Sequence, residues 1–278
     1  MKITAVFCDA GSTNLLAYYL KNKKIKFDCY AFGAALKILP KIFPRKKIHK
    51  VIDNKIKNNN ILITTTSLNN QFEFKAKLLC VNKKIKIISV LDHWINYRSR
   101  FLYKGKTYMP NEIWVFDNYA KLLSKKKFPN TKILEKENFY LKYVSKKIKK
   151  KSNNKNILYI CEGNRKIRNL NKFENKNISK ILNKFRIKFK NNYKLIIKLH
   201  PSSKSKKIYD KIMNNYKHIK YEILINTSIE KALSVSEIVI GIRSYAMYVS
   251  TKNNLKTYTL LENKNLKKYI PYKNVMRL

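Results

Sequence analysis

Two apolar runs in the second half of the sequence end in residues suited to holding an anion. Residues 193–199 close on His200-Pro201-Ser202-Ser203, and residues 237–240 close on Gly241-Ile242-Arg243-Ser244. A helix-like segment follows each at once. Strand end, polar turn and helix start is a geometry that binds phosphate. Open parallel sheets take ligands at the carboxyl ends of their strands, and a helix N-terminus adds unpaired N–H groups and the positive end of its dipole. His200 can donate to a phosphate oxygen or assist a leaving group. Pro201 fixes φ and stops the strand, and Ser202 or Ser203 then caps the next helix. Gly241 permits close backbone approach, Arg243 adds a fixed charge, and Ser244 can cap a helix while presenting its hydroxyl. An ordinary N-cap explains Ser244 but not Gly241 and Arg243 beside it. Glu162, at the end of the strand-like run 157–161, either binds a ribose hydroxyl or turns the chain. Glu230 either reaches the ligand or is a first-turn acid that suits the helix dipole. The two turns together suggest one crevice for a phosphorylated donor.

Groups able to move a proton lie in the first half. In Cys8-Asp9-Ala10-Gly11-Ser12-Thr13-Asn14, Asp9 ends a strand where it could take a proton from an attacking hydroxyl, or else bond the amides of its own turn. The turn lacks GxGxxG, so a dinucleotide site is not supported. A second cluster, Asp92-His93-Trp94-Ile95-Asn96-Tyr97-Arg98-Ser99-Arg100, follows the strand-like run 85–91. His93 beside Asp92 has the form of a base and its orienter, although adjacent strand residues point to opposite faces. Trp94 and Tyr97 offer faces to a sugar ring, and Arg98 and Arg100 offer forks to a carboxylate or phosphate. The other reading is an aromatic loop packed on its own domain with both arginines solvated. Cys8, Cys29, Cys80 and Cys161 are widely spaced, so they read as buried thiols in a reducing cytoplasm, with neither a zinc site nor a redox pair. Metal independence is the expectation.

These residues need a scaffold that brings strand ends together. Strand-like runs fall at 3–8, 25–32, 61–65, 85–91 and 113–116, with helix-like segments at 13–21, 71–81 and 118–126. The polar, basic, aperiodic stretch 146–155 then reads as a linker. The alternation resumes with strands at 157–161, 195–199, 221–225, 238–240 and 257–261. Ile178, Ile181, Leu182, Phe185 and Phe189 share one helix face, and further helices fall near 208–216, 228–235 and 246–251. Strands alternating with helices imply βαβ units and parallel sheets. The fold expected is α/β: two Rossmann-like domains with parallel sheets facing across a cleft. The domains are 1–147 on the acceptor side and 157–278 on the donor side, joined by a basic linker at 148–156.

The chain of 278 residues carries 62 Lys+Arg against 16 Asp+Glu, a formal charge of +46. The lysines are spread over the whole length beside abundant Asn and Ile, which favours solvated faces over a nucleic-acid surface. The excess still favours anionic partners such as sugar nucleotides or an anionic membrane. A nucleic-acid binder is the competing class, and it lacks an RNP, zinc-finger or helix-turn-helix signature. No run approaches the ~18–20 apolar residues of a membrane span. Asp9 interrupts the apolar start, so the N-terminus makes a poor signal peptide. A cytoplasmic protein, with peripheral contact at the inner face of the membrane, is the expectation.

The second half resembles the donor domain of GT-B glycosyltransferases. Lys198-Leu199-His200-Pro201 is similar to the HP motif of bacterial sialyltransferases and polysialyltransferases, and to a segment of CDP-glycerol glycerophosphotransferases. Residues 229–260, with Ser234 to Gly241 and then Arg243-Ser244, are similar to their helix, strand, Gly-x-x-Ser turn and next helix. The resemblance covers about residues 157–262. It implies that His200 meets the donor phosphate and Ser244 supports it. The implied protein is a glycosyltransferase moving sugar from a nucleotide-activated donor, CMP-linked among the candidates, to a surface glycan or lipid-linked glycan. No cofactor beyond the nucleotide-sugar co-substrate is implied. In the first half, sialyltransferases of this group carry two acids before a glycine, and here Asp9-Ala10-Gly11 keeps only one. A glycerophosphotransferase and a sugar-nucleotide epimerase or hydrolase are the alternatives on the same fold.

Overall fold

Continuous apolar runs become strands because a parallel sheet is covered on both faces. The first run shows this: every residue of β1 (Ile3–Phe7) is buried. A computed structural model describes residues 2–58, 61–68, 70–81, 83, 85–149, 155–162, 169–200, 205–261 and 274–278. The chain divides into two units, Met1–Tyr140 and Leu141–Leu278.

In the first unit β1 is followed by α1 (Ala10–Asn22), β2 (Asp28–Ala31), α2 (Ala35–Ile42), β3 (Ile48–His49), β4 (Ile61–Thr64), α3 (Gln71–Val81) and β5 (Lys86–Val90). A hairpin of β6 (Leu102–Tyr103) and β7 (Lys106–Thr107) comes next, then β8 (Glu112–Val115), α4 (Asn118–Lys127) and β9 (Lys132–Glu135). Lys104 and Gly105 take positive φ at the hairpin turn, the two-residue geometry that matches strand twist. The seven-stranded sheet has the order β3-β2-β1-β4-β5-β8-β9, and its pairings are parallel. The winding reverses between β1 and β4.

Helix α5 (Phe139–Lys147) starts at the division between the units. The second unit then runs β10 (Asn156–Ile160), α6 (Leu170–Lys184), α7 (Arg186–Lys190), β11 (Lys194–Lys198), α8 (Lys207–Met213), β12 (Tyr221–Leu224) and α9 (Ile229–Ser234). It finishes with β13 (Ile238–Gly241), α10 (Tyr245–Lys252), β14 (Lys256–Thr259) and β15 (Val275–Arg277). Its six-stranded sheet has the order β12-β11-β10-β13-β14-β15, again parallel. Here the reversal lies between β10 and β13. The face of β10 and β11 that carries Ile157, Tyr159, Leu195 and Ile197 packs on Ile178, Ile181 and Leu182 of α6 and on Tyr209 and Ile212 of α8.

Several elements do not stand out in the sequence, the β6–β7 hairpin among them. Helix α2 contains Pro40, which removes one internal hydrogen bond. Strand β9 has only two apolar residues, Ile133 and Leu134, between charged ends. Strands β3 and β15 are two and three residues long, and α5 buries only Val144. No helix among the described residues is long and apolar enough to cross a membrane.

Candidate functional site

Each sheet has one point where successive crossovers leave in opposite directions, and a crevice opens there at the carboxyl ends of the strands. In the second unit that point is filled by residues from both flanking strands. The Arg243 backbone N–H, just after β13, donates to Glu162 Oε1, just after β10, at 3.1 Å. Arg243 Nε lies 3.7 Å from Glu162 Oε2. Ser244 caps α10, its hydroxyl accepting from the Ala246 N–H at 3.3 Å. The capped start of α10 therefore lies at the reversal.

Gly241 leaves room for the Met247 side chain: a Cβ there would meet Met247 Sδ at 2.8 Å and Cγ at 3.1 Å. His200 is exposed and lies two residues beyond β11, the strand next to β10. Glu230 sits in the first turn of α9, which follows β12. Thus Glu162, His200, Glu230, Gly241, Arg243 and Ser244 all belong to one edge of one sheet. Pro201 and Ser202 lie outside the described residues, as does most of the proposed linker.

The corresponding edge of the first unit is knitted by buried hydrogen bonds. The Cys8 N–H donates to Thr65 Oγ1 at 3.0 Å, and the Thr65 N–H to the Val6 carbonyl at 2.9 Å, closing β1 on β4. Thr65 in turn donates to Glu73 of α3, which also accepts the Ser67 N–H at 2.8 Å. Asp9 precedes α1 as its N-cap. Asp92, beyond β5, is paired with Arg100 at 2.9 Å, and both side chains are nearly buried. The same Arg100 nitrogen donates to the Thr66 carbonyl at 2.6 Å, and Nε reaches the Ile95 carbonyl at 3.4 Å. Gly11 leaves the space that the Asp92 carboxylate fills, since a Cβ at Gly11 would stand 2.4 Å from Asp92 Oδ2. The two acid-bearing turns named from sequence therefore touch.

The aromatic members of the loop serve its shape. Trp94 is buried and donates its indole N–H to Asp117 at 3.1 Å, while Asp117 caps α4 through Ala120. Tyr97 is buried with its ring parallel to Phe128 at 6.2 Å. Arg98 is exposed. The expectation that both arginines are either ligands or solvated thus divides: Arg98 is open to solvent and Arg100 is an internal clamp. His93 accepts the Trp94 backbone N–H at Nδ1, at 3.0 Å. A neutral imidazole accepting at Nδ1 carries its proton on Nε2 and donates there. In this arrangement His93 presents a donor, not an acceptor, at Nε2.

Three buried ionisable groups were not apparent from the sequence. Lys77 of α3 is 2% exposed, and its ammonium lies 5.1 Å from the Phe74 ring centre and 5.3 Å from that of Phe101. Burial pushes its pKa down to about 8, against the pull of Glu73. Burial in turn raises the Glu73 carboxyl. Glu174 of α6 is pushed up to about 7 by burial, and the Tyr159 hydroxyl donates to it at 2.7 Å. The i, i+4 spacing of Glu73 and Lys77 is the one sequence signal among them.

Because the folded pKa of Lys77 is lowered, the folded chain binds fewer protons than the unfolded chain between about pH 8 and 10, and stability rises with pH there. Chemical denaturation at pH 7.5 and 9.5 should show a gain in the native protein that is about 1–2 kcal/mol larger than in Lys77→Met. Identical gains would remove Lys77 as the cause.

A scan for protein-family patterns finds no match to this chain, and a search of curated protein sequences finds none. Solved structures do resemble it. The UDP-GlcNAc 2-epimerase of Neisseria meningitidis, in complex with UDP-GlcNAc, is 12% identical, with a TM-score of 0.69 over 99% of this chain and 87% of that chain. The UDP-GlcNAc 2-epimerase of Methanocaldococcus jannaschii is 13% identical, with a TM-score of 0.65 over 100% of this chain and 89% of that one. The wall teichoic acid polymerase TagF is 11% identical, with a TM-score of 0.53 over 96% and 72%. At such identities the likeness establishes the fold. The chain has an α/β fold of GT-B type, built of two parallel-sheet units.

Proposed function

We propose that this chain is a nucleotide-sugar-dependent enzyme, and that it transfers the sugar to a surface-glycan acceptor. The observation that carries the reading is the meeting of Glu162, Arg243 and the capped start of α10 at the reversal point of the second sheet, with His200 on the adjacent strand end. The common step is cleavage of the bond between the anomeric carbon and a donor phosphate oxygen. That step develops negative charge on the phosphate, and preorganised donors aimed at it are worth most. His200 and the Arg243 guanidinium are the donors assigned here, with the positive end of the α10 dipole beside them. Glu162 holds the Arg243 turn in place. Glu230, in the first turn of α9, is assigned to the nucleoside.

The acceptor hydroxyl is assigned to the first unit. Asp92 accepts its proton, with Asp9 as the second candidate. Arg98 and the Nε2–H of His93 bind the acceptor, while Trp94, Tyr97 and Arg100 shape the loop that presents them.

A second reading is sugar-nucleotide 2-epimerisation, favoured by the TM-scores of 0.69 and 0.65 to two 2-epimerases. It uses the same donor site but removes and returns a proton at the sugar's C2. NMR of reactions with UDP-GlcNAc, CMP-linked sugars and CDP-glycerol separates the possibilities. A transferase consumes donor and releases nucleotide when acceptor glycan is present. An epimerase interconverts the sugar at C2 with no acceptor, and a glycerophosphotransferase releases CMP from CDP-glycerol. If none of these donors is consumed or bound, the nucleotide-sugar reading falls.

A further inference from the structure

Strand β11 reads Lys194-Leu-Ile-Ile-Lys198, and its last residue is a lysine in a place made for an apolar side chain. The register sets Leu224, Lys198 and Ile160 side by side on three neighbouring strands, with Gly241 beside Thr259 on the next two. Partners in a parallel register point to the same face. Lys198 therefore shares its face and its surroundings with Leu224 and Ile160, one row from the carboxyl edge. It is 8% exposed. Lysines are almost never this buried unless paired. Yet among the described residues no carboxylate oxygen lies within ion-pairing distance of its ammonium, which reaches the Leu199 carbonyl at 3.5 Å. Glu162 at the same edge is engaged with Arg243. Burial lowers the Lys198 pKa, and Cys161 and then Glu230 pull it back in part. A cation placed in the sheet edge without a counter-charge costs stability, and the fold keeps it there.

We propose that Lys198 is a binding residue for the donor's phosphate, supplying its charge from the end of β11, two residues before His200. The assignment rests on the nucleotide-sugar reading. It completes a basic arc in which Lys198 and His200 come from the end of β11 and Arg243 from the end of β13, two strand ends of one sheet. An incoming phosphate supplies the counter-charge that the protein withholds, so binding removes the desolvation penalty instead of adding to it. A lysine present only for packing would be replaced by methionine at no loss of ligand affinity.

The test is calorimetric titration of UDP, CMP and CDP into the full native chain, into Lys198→Met and into Lys198→Gln, with melting temperatures taken without ligand. At least one nucleotide should bind the native protein, and Lys198→Met should weaken that binding at least tenfold while melting at the same or a higher temperature. Unchanged affinity in Lys198→Met overturns the role of Lys198 and leaves the nucleotide-sugar reading intact. Failure of all three nucleotides to bind the native chain overturns both. Should the methionine variant fail to fold, Lys198→Gln, which keeps a polar tip of similar reach, carries the same affinity criterion.

Discussion

Replacing His200 with alanine should lower turnover about 100- to 1,000-fold and leave the melting temperature where it was. The size follows from the role: removing one preorganised donor to developing charge costs about 2.7–4 kcal/mol of transition-state stabilisation. The silence in stability follows from the location. His200 is exposed beyond the end of β11, whose own core residues, Leu195 and Ile197, are untouched, and surface changes of this kind stay within about 0.5 kcal/mol. Steady-state kinetics beside a thermal melt checks both halves. A variant with near-native turnover would strip His200 of its assignment to the phosphate.

Arg100→Met should have the largest effect on stability. The guanidinium pairs with Asp92 at 2.9 Å and anchors the Thr66 carbonyl at 2.6 Å, with both side chains of the pair nearly buried. Breaking a buried pair by removing one partner leaves a charge without its match, at about 3–5 kcal/mol. A melting temperature lower by roughly 10 °C is expected. Asp92→Asn combined with Arg100→Met should recover part of that loss, because the orphaned carboxylate is then gone. Activity should fall in both variants, since Asp92 is either displaced or neutralised. A native melting temperature in Arg100→Met would mean that the pair does not hold the loop.

The strands that carry the site were readable because they are continuous apolar runs: 3–8 became Ile3–Phe7, 85–91 became Lys86–Val90, and 238–240 became Ile238–Gly241. Helix α3 was readable to the residue, and Ala76 and Cys80, four apart, share its buried face. What escaped was long-range. Spacing crowds Asp92, His93, Arg98 and Arg100 into one loop but does not say which arginine turns inward. That choice depends on the Thr66 carbonyl, brought beside the loop by the pairing of β4 with β5. The contact of Gly11 with Asp92 likewise needs the sheet order β1-β4-β5 before it can exist. Lys198 was hidden by composition: among 62 basic residues, one more lysine reads as solvated, and only the register shows it flanked by Leu224 and Ile160.

Charge itself carries little functional information for the same reason. Three basic side chains are buried among the described residues. Lys77 sits between two phenyl rings, Arg100 in the Asp92 loop, and Lys198 in the second sheet. The others cover the surface of a fold whose two reversal points are each lined by polar side chains.

Hydrogen–deuterium exchange on the full chain, with and without saturating UDP-GlcNAc, a CMP-linked sugar or CDP-glycerol, tests the central claim most directly. At least one of these donors should slow exchange of the amides of residues 241–246 and of the segment ending at His200, and Arg243→Ala should abolish that protection. Protection confined to other parts of the chain, or none with any of the three, would contradict the assignment of the donor phosphate to the edge where Glu162 and Arg243 meet.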